Sequence, residues 1–218
     1  MALRGKNKRT DRSKIDATPP WAERVREEAA PTTGPFDERD APTDEIPRAD
    51  LGALLVPVNA GLDLRLEVNE AQQVIAVTLA APDGTMQLGV YAAPRNEGIW
   101  DEVRAEIADS LKSQKGSPSE RGSGSFGVEL TGTVPGEGGR VPVRFIGIDG
   151  PRWFLRALLA GGPADPARAA RFEDVLRNVI VVRGTEPLPV RDPVPLRLPK
   201  DVVLPDELTG ADGSESGS

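Results

Sequence analysis

The 218-residue chain has no cysteine and no histidine, and these two absences remove most familiar active sites before any pattern is read. Thiolate and imidazole zinc sites, cysteine nucleophiles, Ser-His-Asp triads, histidine-ligated haem and every disulfide need residues that are missing. With one tyrosine and six lysines, the remaining chemistry is carboxylate, Lys, Ser/Thr or Tyr work. Long apolar runs are absent too. The densest stretch, around Trp153 to Ala160, is interrupted by Arg156 and falls short of the roughly 18 residues that mark a spanning helix. The first residues are basic, but no apolar segment or small-residue cleavage site follows them. A cytoplasmic protein without membrane association is expected.

Positive charge is scarce overall, at a net of -7, but it is concentrated at one end. Residues 1–14 carry Arg4, Lys6, Lys8, Arg9, Arg12 and Lys14 against Asp11 alone. Such a stretch reads either as a surface for nucleic acid or an acidic partner, or as a solubility tail. The segment that follows is acidic and could fold back on it. Arginine outnumbers lysine 21 to 6, which fits a GC-rich coding sequence better than an arginine-dependent function.

Four regions are expected. Residues 1–50 read as a charged, largely disordered leader, poor in apolar residues. Within it Pro19 to Glu28 can form two marginal helical turns, with Trp21 and Val25 stacked. Residues 51–184 read as a single α+β domain, 185–205 as a Pro-rich extended strap packing on it, and 206–218 as a disordered tail.

Inside the domain the periodicity changes repeatedly. Leu62, Leu64, Leu66 and Val68 alternate with charged residues as a half-buried strand, and Pro57 places Leu54 to Val58 on an edge. Val74 to Ala80, the turn Pro82-Asp83-Gly84 and Thr85 to Ala92 form an antiparallel hairpin. Trp100, Val103, Ile107 and Leu111 mark the buried stripe of a helix, with Asp101 and Glu102 in its first turn and Gly116 placed to stop it. Gly116 to Gly124 reads as a polar loop. Phe126 to Thr131 and Val141 to Ile148 are strands, and Asp149-Gly150 turns the latter into Trp153 and beyond. Asp165 and Pro166 open a second helix, with Phe172, Val175, Leu176 and Val179 inward, and Ile180 to Arg183 is a last strand. The order predicts a mostly antiparallel sheet with two main helices, an α-β-α sandwich.

No phosphate-binding loop is present, because the glycine clusters PGEGG and SERGSGSFG lack both P-loop and GxGxxG spacing. Acid pairs such as Asp101-Glu102 and Glu173-Asp174 read as solvated helix acids rather than metal ligands. No metal and no cofactor are expected. The candidate binding group is Arg95, Trp100, Arg152 and Trp153, since Trp beside Arg builds stacking and anion-recognition surfaces. The competing reading puts both rings in the core with the arginines reaching out past them.

Five stretches, GPFD (34–37), DLGALLVPV (50–58), IWDEVRAEIA (99–108), VRFIGIDGPRWFLR (143–156) and VVRGTEPLPVRDPVPLRLP (181–199), resemble an actinobacterial family of domains of unknown function, number 3710. The resemblance spans about 34–199. It implies a cytosolic protein of a high-GC Gram-positive bacterium and no assigned activity. The order of elements also looks like the Mog1/PsbP type of sandwich, which belongs to adaptor and assembly proteins. The expected function is a non-catalytic interaction or adaptor module with a protein partner. The alternatives are a nucleic-acid-associated protein acting through residues 1–14 and a carboxylate-dependent hydrolase or small-ligand binder.

Overall fold

The computed structural model describes residues 33–58, 61–69 and 74–198. The chain divides into Met1–Ala30 and Pro31–Ser218, and every described residue belongs to the second unit. The basic residues of 1–14, the Trp21 turn and the tail past 198 lie outside the described residues.

In chain order the elements are β1 (Phe36–Asp37), β2 (Arg48–Asp50), β3 (Leu54–Pro57), β4 (Asp63–Val68), β5 (Val74–Ala81), β6 (Gly84–Ala92), α1 (Trp100–Ser113), β7 (Ser119–Gly124), β8 (Gly127–Gly136), β9 (Gly139–Gly150), β10 (Trp153–Gly161), α2 (Ala170–Arg177) and β11 (Ile180–Val181). Seven strands form one fully antiparallel sheet in the order β4-β5-β6-β10-β9-β8-β7. A smaller sheet runs β1-β11-β3-β2, with β1 and β11 parallel. The protein is α+β, as its element order predicts.

Strand alternation divides the core into two layers. Along β10, Trp153, Leu155, Ala157 and Leu159 face a cluster with Phe172, Val175 and Leu176 of α2 and with Leu54 and Val56 of the small sheet. Phe154, Leu158 and Ala160 face the other way, toward Trp100, Val103, Ile107 and Leu111 of α1. Hence α1 covers one face of the large sheet, while α2 and the small sheet cover the other.

Three differences from the sequence reading concern boundaries. The expected leader reaches residue 50, yet 33–50 contain β1 and β2, and Phe36 and Asp37 are buried. Strands of two or three residues are too short to show a period. The expected loop 116–124 contains β7, an edge strand whose glycines and serines give no alternation and whose pairing with β8 is bulged after Arg121. The second helix begins with a single 3-10 turn over Pro166–Arg168, capped by Asp165 through Ala167 N, before α2 starts at Ala170.

The segment after β11 is held by its backbone. Ala92 N donates to Asp192 O at 2.8 Å, Arg191 N to Ala92 O at 2.7 Å and Val194 N to Val90 O at 2.9 Å, while Leu196 bridges Val74 of β5. The β5–β6 ladder pairs Val77 with Leu88 and runs from there to the hairpin turn. The segment therefore inserts where those two strands have parted. Arg197 N then reaches Leu51 O at 2.7 Å, and Val194 and Leu196 join the core. Prolines at 187, 189, 193 and 195 suit a segment that uses few of its own N–H groups.

Candidate functional site

The Arg95, Trp100, Arg152 and Trp153 group is not assembled into one surface. Trp100 belongs to the α1-side cluster and Trp153 to the α2-side cluster, because the elements carrying them pack on opposite faces of the large sheet. Each ring has a structural role. Trp100 stacks on Phe154 at 5.9 Å between centroids, donates Nε1–H to Val128 O at 2.7 Å, and lies directly on Gly147, where any Cβ would collide with the indole. Trp153 is 2% exposed, donates Nε1–H to Asp37 Oδ2 at 2.8 Å, and covers Gly150 in the same way.

The motif VRFIGIDGPRWFLR is accordingly an architectural device. Gly147 and Gly150 receive the two indoles. Asp149, between them, accepts Ile99 N at 2.8 Å and Trp100 N at 3.3 Å, capping the start of α1 from a neighbouring strand. Arg152 takes a left-handed conformation at φ 66° in the turn before β10, and its carbonyl accepts Ala93 N at 3.0 Å. Arg95 is exposed in the loop between β6 and α1.

Two other arginines are buried. Arg144, 1% exposed, sits between Glu129 of β8 at 3.3 Å and Glu173 of α2 at 2.9 Å. Arg177 continues the chain of charges to Glu173 at 2.9 Å and Asp174 at 2.8 Å, its guanidinium 5.5 Å from the Phe126 ring. Burial pushes the Glu129 carboxyl above its ordinary range, and the attraction of Arg144 opposes that push. Glu129 Oε1 and Arg144 Nε have no hydrogen-bond partner among the described residues. This group ties α2 to the large sheet.

Arg183, 8% exposed, is held differently. It lies just past β11, after Val182. Nε donates to Arg152 O at 3.1 Å and Nη1 to Glu186 O at 3.1 Å. Both partners are neutral carbonyls. Among the described residues no carboxylate pairs with Arg183, and burial together with the repulsion of Arg152 holds its guanidinium below the ordinary arginine value.

Beside it opens a pocket of about 330 Å³, lined by the loop from Val182 to Glu186, by Gly52 and Ala53, and by Leu188, Val194, Pro195 and Arg197 of the inserted segment. The Arg197 methylenes lie against Gly52, which takes a left-handed φ of 80°. Arg197 likewise has no ion-pair partner among the described residues, and one acidic residue, the exposed Glu186, lines the rim. The site thus combines two arginines, a glycine-lined floor and an apolar wall. Sequence reasoning missed both arginines. The available signal was Arg183 itself, a cation placed straight after the apolar run Val179–Val182 and just ahead of a glycine.

Among the described residues, no group of three or more acids is placed to hold a metal ion, and no helix is long and apolar enough to cross a membrane. A family model described as "Protein of unknown function (DUF3710)" matches residues 34–204. No curated protein matches the chain.

Proposed function

The chain belongs to the DUF3710 family of proteins of unknown function, and from that premise we propose that it is a non-catalytic cytosolic interaction module whose recognition site is the pocket between the 182–186 loop and the inserted segment. One observation carries the reading: a buried arginine with no acidic partner among the described residues opens onto a pocket, whereas Trp100 and Trp153 are committed to the core and the Asp149 carboxylate to capping α1. Buried charges in a self-contained fold are normally paired. Arg183 is left for a group that the fold does not supply.

The test is site-directed photo-crosslinking of the full chain in its native cytosol, with the crosslinker at the exposed Thr185 on the rim or at the exposed Lys112 on α1. A single stoichiometric protein adduct from position 185 and none from 112 is the expected outcome. Equal labelling from both positions, or substrate turnover by the purified chain, overturns the reading.

The basic stretch 1–14, with six bases against one acid, supports a second reading as a nucleic-acid-associated protein. Binding to a fluorescent duplex that weakens steeply with salt and disappears when residues 1–14 are deleted would establish it. No binding at low salt would remove it.

A further inference from the structure

We propose that the Arg183 pocket is an oxyanion site, taking a carboxylate or phosphoryl group on a short apolar stem through the Arg183 guanidinium and the Arg197 side chain. The proposal rests on the interaction-module reading for its location and adds the chemistry of what is recognised.

Three observations converge. The first is the fork itself. Nε and Nη1 of Arg183 are fixed on the carbonyls of Arg152 and Glu186, which sets the guanidinium plane, while Nη2 makes no hydrogen bond among the described residues. A planar, pre-oriented donor edge is the feature that distinguishes arginine as a partner for carboxylate and phosphate.

The second is local charge. Arg152 stands close enough to repel Arg183, and Arg197 lines the same pocket. The facing acid is Glu186, whose carbonyl, not its carboxylate, is engaged with Arg183. Two arginines and a single exposed acid line the opening, so its lining is net positive in a chain of net charge -7.

The third is shape. About 330 Å³ is at the small end of ligand cavities, enough for an oxyanion and a few carbons. Leu188, Val194, Pro195 and Ala53 offer that stem an apolar wall. Apart from Ala53 the wall belongs to the inserted segment, so a bound ligand touches the loop after β11 and the segment together.

The experiment is an amide and arginine side-chain NMR titration of the full-length chain with inorganic phosphate, with succinate, and with sodium chloride at matched ionic strength. Saturable shifts at Gly52, Gly184, Thr185 and Arg183 Nε with phosphate or succinate, and not with chloride, are expected. Phosphate alone saturating assigns a phosphoryl group, succinate alone a carboxylate.

Arg197→Gln should weaken the affinity roughly tenfold, the scale of one lost charge-assisted hydrogen bond. Thr185→Glu, which places an acid on an exposed rim position, should abolish saturation, and Glu186→Gln should tighten binding about two- to threefold. Both rim residues are exposed, so these variants fold. Shifts that follow chloride, or affinities unchanged in all three variants, overturn the oxyanion assignment. That failure is separate from failure of the module reading: a protein adduct at position 185 without anion binding leaves the module and removes the oxyanion, and anion binding without an adduct does the reverse.

Discussion

Arg144 beneath α2 and Arg183 at the end of β11 are both nearly sealed from solvent, at 1% and 8% exposed, but one is enclosed by acids and the other by carbonyls and a second cation. Around Arg144 the chain brings its own counter-charges from β8 and α2, and Arg177 balances the excess acid. Around Arg183 the described residues bring none. Burial alone therefore does not separate a structural cation from a binding one. The sign and source of the neighbouring charge do: a group whose field is closed inside the fold holds elements together, and a group whose field is left open can hold something else.

Removing each arginine breaks that comparison in opposite ways. Arg144→Met leaves Glu129 buried without its counter-ion and should cost about 3–5 kcal/mol, read from urea unfolding followed by tryptophan fluorescence. Leu196→Ala, at the bridge to Val74 that seats the inserted segment, should cost about 2–3 kcal/mol by leaving a cavity. It should also weaken anion binding, because Val194, Pro195 and Arg197 on either side line the pocket. Arg183→Met removes two hydrogen bonds to carbonyls, one of which keeps Ala93 N as a donor, and strands no acid. Its cost should stay within about 1.5 kcal/mol. A cost for Arg183→Met as large as that for Arg144→Met would erase the distinction and make both structural.

The same contrast explains what the sequence could reveal. The hairpins, both helices and the final strand are legible because Leu64/Leu66, Val103/Ile107/Leu111 and Phe172/Val175/Leu176 keep the period of the element they occupy. Asp165 announces its cap by type and place. By contrast, β1, β2 and β7 have no period to read, and the insertion of Asp192 to Leu196 between β5 and β6 depends on where two distant strands part. The Arg and Trp residues of the candidate group are adjacent in sequence at 152–153, but Arg152 takes a left-handed turn conformation ahead of β10 while Trp153 opens the strand with its ring buried. Arg183 escaped notice because an unpaired charge is a property of the surrounding fold. No local pattern records that Arg183 donates to the Glu186 carbonyl rather than to its carboxylate.

The pH dependence gives the smallest and most specific effect. Glu129 is wholly buried and faces Arg144, Glu173 and Arg121, with Arg177 engaging Glu173 from α2. Its carboxyl is raised above the ordinary value of 4.5, chiefly by burial. The folded state therefore binds this proton more tightly than the unfolded chain does. Stability from this group is full below about pH 4.5 and is lost as pH rises through the elevated folded-state value, at roughly 1.4 kcal/mol per unit of elevation. Glu129→Gln deletes the titration while keeping an acceptor for Arg144, so its stability relative to the parent should climb as pH rises above about 4.5. Asp44 works the other way: its hydrogen bond to Arg48 lowers its carboxyl below 3.8, and that contribution disappears only on the acid side. Paired urea titrations of parent and variant at several pH values isolate Glu129. A difference that stays flat with pH would mean that Arg144 fully neutralises Glu129, and the closed site would then carry no residual strain from its unpartnered oxygen.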